Sequence, residues 1–220
     1  AIDNAMRAIE RENRRLKDIL PKNFARPELD KRRLGEVVDL FTNIRMHQHG
    51  DSKDILGRTY EYCLSRFAEA EGKLAGEFYT PACVVKTLVQ VLQPFRGRVY
   101  DPCCGSGGMF VQSTDLIREK RGDIRRINVY GQEKEAATYR LAKMNLALRG
   151  ISHNLGEESD STFTHDLFKG LYFDYIMANP PFNLKGWYDE NLKNDSRWVD
   201  YQTPPESNAN YAWILHILSH

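Results

Sequence analysis

Asp101-Pro102-Cys103-Cys104-Gly105-Ser106-Gly107-Gly108 is the stretch whose reading decides the fold. A short β-type run, Arg98 to Tyr100, leads into it, and a helical pattern from about Gly108 to Lys120 follows. Glycines between a strand and a helix remove side chains, so a ligand can approach the backbone closely. The free N–H groups of the helix start can then bond polar ligand atoms. On this view a side chain at Gly107 would fill the approach. The turn alone does not choose its ligand, because dinucleotides, phosphates and purely structural turns all use such glycines. The spacing G-x-G-x-x-G of a nicotinamide-dinucleotide site is missing: Met109 and Phe110 follow Gly108, with no third glycine at the required place.

Outward from the turn, strand and helix patterns alternate. Upstream, Thr80 can cap a helix that starts at Pro81 and turns Val84, Val85, Leu88, Val89 and Leu92 toward a core. Downstream come a strand over Ile127–Gly131 and a helix from about Ala136 to Arg149 that Gly150 stops. A weaker strand lies near Ser161–Thr164, and the clearest spans Phe173–Ala178. Such alternation implies an α/β fold with a mostly parallel sheet covered on both faces, whose ligands bind at the carboxyl ends of the strands. Asp101, Gln132-Glu133, Asp166 and Asn179 onward all fall at those ends.

Residues 1 to about 75 read as helices instead. Ile2, Met6, Ile9, Leu16, Ile19 and Leu20 share one stripe that Asn13 interrupts. A second helix runs from Leu34 to about Met46, and Ile55, Tyr60, Tyr62, Leu64 and Phe67 mark a third before Gly72 and Gly76. The expected division is therefore 1–75, a helical N-terminal region, and 76–220, an α/β domain. The chain starts at Ala1 and ends within the apolar pattern Ala212–Leu218, so it is expected to be part of a longer protein.

Three strands ending in acidic residues resemble the S-adenosylmethionine-dependent methyltransferase (Rossmann-like) fold. That resemblance sets Asp101 against the cationic methionine amino group, Glu133 against the ribose diol and Asp166 against the adenine amino group. The backbone of Gly105, Ser106, Gly107 and Gly108 forms the cradle. Asn179-Pro180-Pro181-Phe182 then resembles the signature of amino-methyltransferases. More closely, the chain resembles the modification (M) subunit of type I restriction-modification systems, the N-6 adenine-specific DNA methyltransferases. Gly76-Glu77-Phe78-Tyr79-Thr80-Pro81, Gly131-Gln132-Glu133 and Ser207-Asn208-Ala209 with the apolar helix after it carry this closer match, over about residues 55–220.

The resemblance implies that Glu77, Phe78, Tyr79, Thr80 and Pro81 lie against the methionine part of the cofactor. It implies a seven-strand core, of which about four strands are legible here and the last would follow residue 220. It implies double-stranded DNA as substrate, a specificity (S) subunit, a restriction (R) subunit and a second M subunit as partners, and cytoplasmic action. The net charge of +1 fits a chain whose duplex-gripping surface lies largely elsewhere.

The chemistry accounts for each residue of the signature. The exocyclic nitrogen of adenine is a poor nucleophile because its lone pair is delocalised into the ring. Acceptors aimed at its protons localise that pair, and Asn179 Oδ1 with the Pro180 carbonyl can supply them. The prolines preset the backbone, and Phe182 offers a face to an adenine flipped out of the duplex.

Protein-glutamine and ribosomal-RNA amino-methyltransferases share the N-P-P-[FY] end, but the G-E-F-Y-T-P segment and the helical lead oppose them. A cytosine-C5 methyltransferase would need a nucleophilic cysteine where Asn179 stands. A non-enzymatic assembly module with a degenerate fold is opposed by intact Asp101, Glu133, Asn179 and Phe182.

No apolar run approaches the roughly 20 residues that cross a bilayer, and no signal-peptide pattern opens the chain. Cys63, Cys83, Cys103 and Cys104 include no C-x-x-C pair and read as reduced thiols. His47 and His49 have no carboxylate or cysteine to complete a ligand set, so no metal is expected.

Overall fold

The structure, a computed structural model, describes residues 1–43, 52–71 and 79–220, without the side chains of 52–54 and 68–71. Four helices come first: α1 (Ile2–Glu12), α2 (Lys31–Thr42), α3 (Ser52–Glu71) and α4 (Ala82–Leu92). An alternating unit follows: β1 (Gly97–Asp101), α5 (Gly108–Glu119), β2 (Ile127–Gly131), α6 (Ala136–Leu148), β3 (His153–Asn154), β4 (Tyr175–Ile176) and α7 (Asn210–Leu218). His47, His49, Gly76, Glu77 and Phe78 lie outside the described residues.

The sheet order is β3-β2-β1-β4, and every pairing is parallel. Val99, Tyr100 and Asp101 of the central strand are all buried, as expected where a strand is covered on both faces. The core joins Val85 and Val89 of α4, Phe110 and Ile117 of α5, Val129 of β2 and Ala142 and Leu146 of α6. The register pairs Asp101 with Gly131 and Tyr100 with Ile176, so the chain leaves all three strands on the same edge. That edge carries the site.

Four expectations need correction. Ser161–Thr164 is not a strand: the His165 N–H donates to the Ser161 carbonyl, and the buried Thr162 hydroxyl donates to the Pro102 carbonyl. Hydroxyl side chains with near backbone partners favour turns over ladders. The third strand is His153–Asn154, set beside Val129 and Tyr130. The Phe173–Ala178 strand is shorter, although Asp174 N–H to Arg98 O and Met177 N–H to Tyr100 O continue its pairing at each end. Pro180 and Pro181 lack the donors to extend it.

Thr80 does not cap α4. Pro81 occupies the N-cap position, and the helix start has no side-chain cap. The first helix ends at Glu12, where the Asn13 amide turns back to the Ile9 carbonyl. Leu16 and Ile19 reach the α/β core from the following turn instead.

Arg149, buried at the end of α6, ties α3 to the α/β unit. It donates to Glu61 at 2.7 Å and to Asp115 at 3.4 Å. Tyr60 donates to the Leu141 carbonyl nearby. Among the described residues no helix is long and apolar enough to cross a membrane.

Candidate functional site

The glycine turn is held from three sides. Cys104 N–H donates to the Gln132 carbonyl, Asn145 Nδ2 of α6 donates to the Ser106 carbonyl, and Gly105 N–H donates to Glu133 Oε2 at 3.0 Å. Gly105 and Gly107 have φ of +53° and +81°, the left-handed region that glycine enters without strain. The reason for Gly107 therefore differs from the expected one. A Cβ there would point at Leu146 of α6, 3.6 Å away, and not into the ligand side of the turn.

Asp101 closes β1 with only 2% of its surface exposed. Its carboxylate accepts from Cys103 N–H at 3.0 Å and has no cationic partner among the described residues. Burial raises its pKa to about 7, and the charge of Glu133 adds to the rise. Glu133, raised by burial in the same way, accepts from Gly105 N–H and Glu135 N–H. Each of its oxygens keeps a lone pair for a further donor.

Gln132, between them, is fully engaged in structure. Its side chain donates to the His165 carbonyl and accepts from Leu167 N–H. A cavity of about 330 Å³ opens beside Glu133. Pro102, Cys103 and Ser161–Thr164 form one wall, and Pro181, Trp187, Tyr188 and Trp213 form the other. The aromatic wall comes from a second core in which Phe163, Trp187, Trp198 and Trp213 pack with Leu215 of α7.

Arg197 fastens the Ser161–Thr164 side of the cavity, and no local sequence pattern signals it. Its side chain is buried, and all five of its N–H donors are used. Two bond Asp195, two bond the carbonyls of Thr162 and Phe163, and one faces His216 Nδ1. A guanidinium only donates, so His216 Nδ1 accepts and the ring proton sits on Nε2, 3.0 Å from the Tyr100 hydroxyl. Burial, with the charge of His220, lowers the His216 pKa to about 3 and keeps that ring neutral.

Asp166 does not line the cavity. It accepts from His220 Nε2 at 3.0 Å and from Phe168 N–H. Burial opposes its ionisation, but the hydrogen bond and the charge of His220 lower its pKa overall. The group Asp166, His216 and His220 has a metal-like spacing, but its ring nitrogens are already committed to Tyr100, Arg197, Leu171 and Asp166. The segment that takes the expected place of Asp166 is Ser161–Thr164, reached because Asp160 N–H bonds the Glu133 carbonyl.

Asn179-Pro180-Pro181-Phe182 leaves β4 at the same edge. Asn179 is exposed, and its Nδ2 donates to Thr80 Oγ1 at 3.1 Å. Pro181 borders the cavity, and Phe182 is 81% exposed. Of the expected site residues, Glu133 and Pro181 line the cavity; Gly105 is tied to Glu133, and Asn179 to Thr80, while Asp101, the glycines, Thr80, Asn179 and Asp166 are not part of the lining.

The model of the family described as "N-6 DNA Methylase" matches residues 51–220. The chain is 42% identical to the type I restriction enzyme HindI methylase subunit of Haemophilus influenzae, over all of this chain and 51% of that protein. It is 39% identical to the MjaIX methylase subunit of Methanocaldococcus jannaschii, over all of this chain and 40% of that protein. It thus spans about half or less of these relatives' length.

Among solved structures it superposes on a type I restriction-modification methyltransferase subunit from Streptococcus thermophilus with a TM-score of 0.78. That match has 27% identity and covers the whole chain and 48% of the other. A class I S-adenosylmethionine-dependent methyltransferase from Listeria monocytogenes, at 14% identity and a TM-score of 0.64 over 87% of this chain and 57% of that one, shares the fold. The architecture is that of the S-adenosylmethionine-dependent methyltransferases, and the chain belongs to the N-6 DNA methylase family.

Proposed function

We propose that this chain is the catalytic core of a DNA methyltransferase that moves a methyl group from S-adenosylmethionine to the N6 of adenine, as part of a type I modification subunit. The observation that carries the proposal is the Asn179–Phe182 loop at the end of β4, with the Asn179 amide nitrogen held by Thr80 and Pro181 at the cavity rim. The donor set fits the cofactor. Asp101 is a buried carboxylate with no cationic partner among the described residues, which an ammonium group would relieve. Glu133 has acceptor capacity for a diol, and Phe163, Pro181 and Trp187 give apolar walls to a nucleoside base. Tyr79, Thr80 and Pro81 stand at the start of α4, and we assign Glu77 and Phe78 with them to the methionine side.

When bound, S-adenosylmethionine supplies an electrophilic methyl group on a sulfonium. The chain's own residues do the rest. Asn179 Oδ1 and the Pro180 carbonyl accept hydrogen bonds from the two N–H groups of the adenine amino group and turn its lone pair toward the methyl; the proton shed on alkylation passes to solvent. Phe182 stacks on the extruded base, and the prolines keep the acceptors in place. The amine becomes acidic only as it is alkylated, so no general base is assigned. Positioning carries the rate.

The further partners are proposals of the same kind: duplex DNA, a specificity subunit, a restriction subunit and a second modification subunit, acting in the cytoplasm. We also propose residues 1–75 as the later part of a helical domain and 76–220 as the methyltransferase domain. The test is product identity. The full-length complex is incubated with duplex DNA and methyl-tritiated cofactor, and the DNA is digested to nucleosides. Label in N6-methyl-2′-deoxyadenosine is expected. Label in N4-methyl-2′-deoxycytidine, or in protein glutamine, would refute the assignment.

A further inference from the structure

Phe182 is 81% exposed, so its position follows chiefly from its backbone. What fixes that backbone is the residue after it. Asn183 has φ +55°, a left-handed conformation that asparagine tolerates better than most side chains. Its N–H donates to Asn210 Oδ1 at 2.8 Å, and Asn210 Nδ2 returns a bond to Asn183 Oδ1 at 3.0 Å. One residue further, the Leu184 carbonyl accepts from Ala209 N–H at 3.1 Å. Asn210 is itself steadied by Asn208, whose Oδ1 accepts its N–H. Asn210 opens α7, whose inward face, Ala212, Trp213, Leu215 and His216, is buried. A helix anchored in the aromatic core therefore reaches out and grips the residue next to Phe182.

We infer that Asn183 and Asn210 form a clasp that sets the plane of Phe182 and so places the extruded base beside Asn179; this rests on the adenine-site reading above. Asn183 and Asn210 are both solvent-exposed. Hydrogen bonds between exposed groups add little to folding stability. Their effect falls on the geometry of the loop, where a small displacement costs rate. Asn210 is thus a positioning residue that acts through Asn183 and Phe182.

The test uses the full-length reconstituted complex with two duplexes: one with the target adenine, on which kcat is measured, and one carrying 2-aminopurine in its place, on which stacking is read. Three variants are compared: Asn210→Ala, Asn183→Gly, which keeps the left-handed backbone, and the double substitution. Asn210→Ala removes both bonds of the clasp and is expected to lower kcat about tenfold and to shrink the short-lifetime, ring-stacked fraction of 2-aminopurine emission; Asn183→Gly removes only the returned bond and is expected to lose less. Cofactor affinity and melting temperature stay at the unaltered values. The double variant is no worse than Asn210→Ala, because that single change already removes the whole clasp. Unchanged emission and kcat in Asn210→Ala, or losses that multiply in the double variant, would overturn the clasp. No 2-aminopurine response in the unaltered complex would overturn the adenine-site reading, and the inference with it.

Discussion

The Asn179 amide donates through Nδ2 to the Thr80 hydroxyl oxygen at 3.1 Å, which leaves Oδ1 as its uncommitted acceptor. An asparagine amide has a donor end and an acceptor end, and only the acceptor end helps an amine act as a nucleophile. Thr80, far off in the chain, thus meets the donor end of Asn179, and the proposed role uses the other end. Thr80→Val keeps the shape and removes the oxygen, and is expected to lower turnover about fivefold, the worth of one modest hydrogen bond. Thr80→Ser is expected to stay near the unaltered rate. Equal rates for the valine and serine variants in single-turnover methyl transfer would contradict this.

With the role proposed for Asp101, cofactor binding depends on pH. Its pKa is raised from 3.8 to about 7 by burial, so the folded, ligand-free protein holds a proton that the unfolded chain releases. Its contribution to stability therefore falls as pH rises from about 4 to about 7. A cationic amino group beside it favours the ionised form and expels that proton. Calorimetric titration with S-adenosylmethionine near neutral pH is expected to show proton release in buffers of different ionisation enthalpy. Affinity should rise between about pH 6 and about pH 8. A binding enthalpy independent of buffer would contradict it.

Arg197→Met tests the wall of the cavity. The change fills similar space but leaves Asp195 and the carbonyls of Thr162 and Phe163 without their donors. Breaking one side of a buried ion pair costs about 3–5 kcal/mol, so a loss of roughly 3 kcal/mol is expected in denaturant unfolding. A loss under about 0.5 kcal/mol would mean that the wall stands without it.

Gly107→Ala separates conformation from access. The new Cβ meets Leu146 at 3.6 Å, an ordinary contact, while φ stays at +81°. The expected result is a stability loss of about 1–2 kcal/mol from the left-handed backbone, with cofactor affinity changed less than about threefold. A large affinity loss at unchanged stability would instead mean that the turn admits no side chain on its ligand side.

The elements that sequence made legible are those with strong local chemistry. The glycine turn, the α5 and α6 periodicities and the proline-stopped end of β4 each announce themselves within a few residues. β3 did not, because two residues, His153 and Asn154, carry no alternation to read. With the third strand expected at Ser161–Thr164, Asp166 reads as a strand-end carboxylate. Its bond to His220, 54 positions away, is a tertiary fact. Arg197 and the Asn183–Asn210 pair were equally silent, since their partners are distant in the chain.

The central claim is that Asn179 activates an adenine amino group and does not hold the cofactor. The most direct measurement pairs two assays on Asn179→Ala in the full-length complex: tritiated methyl transfer to duplex DNA, and calorimetric binding of S-adenosylmethionine. Methyl transfer is expected to fall at least about a hundredfold, with cofactor affinity within about twofold of the unaltered complex. Near-normal methyl transfer by Asn179→Ala would contradict the account.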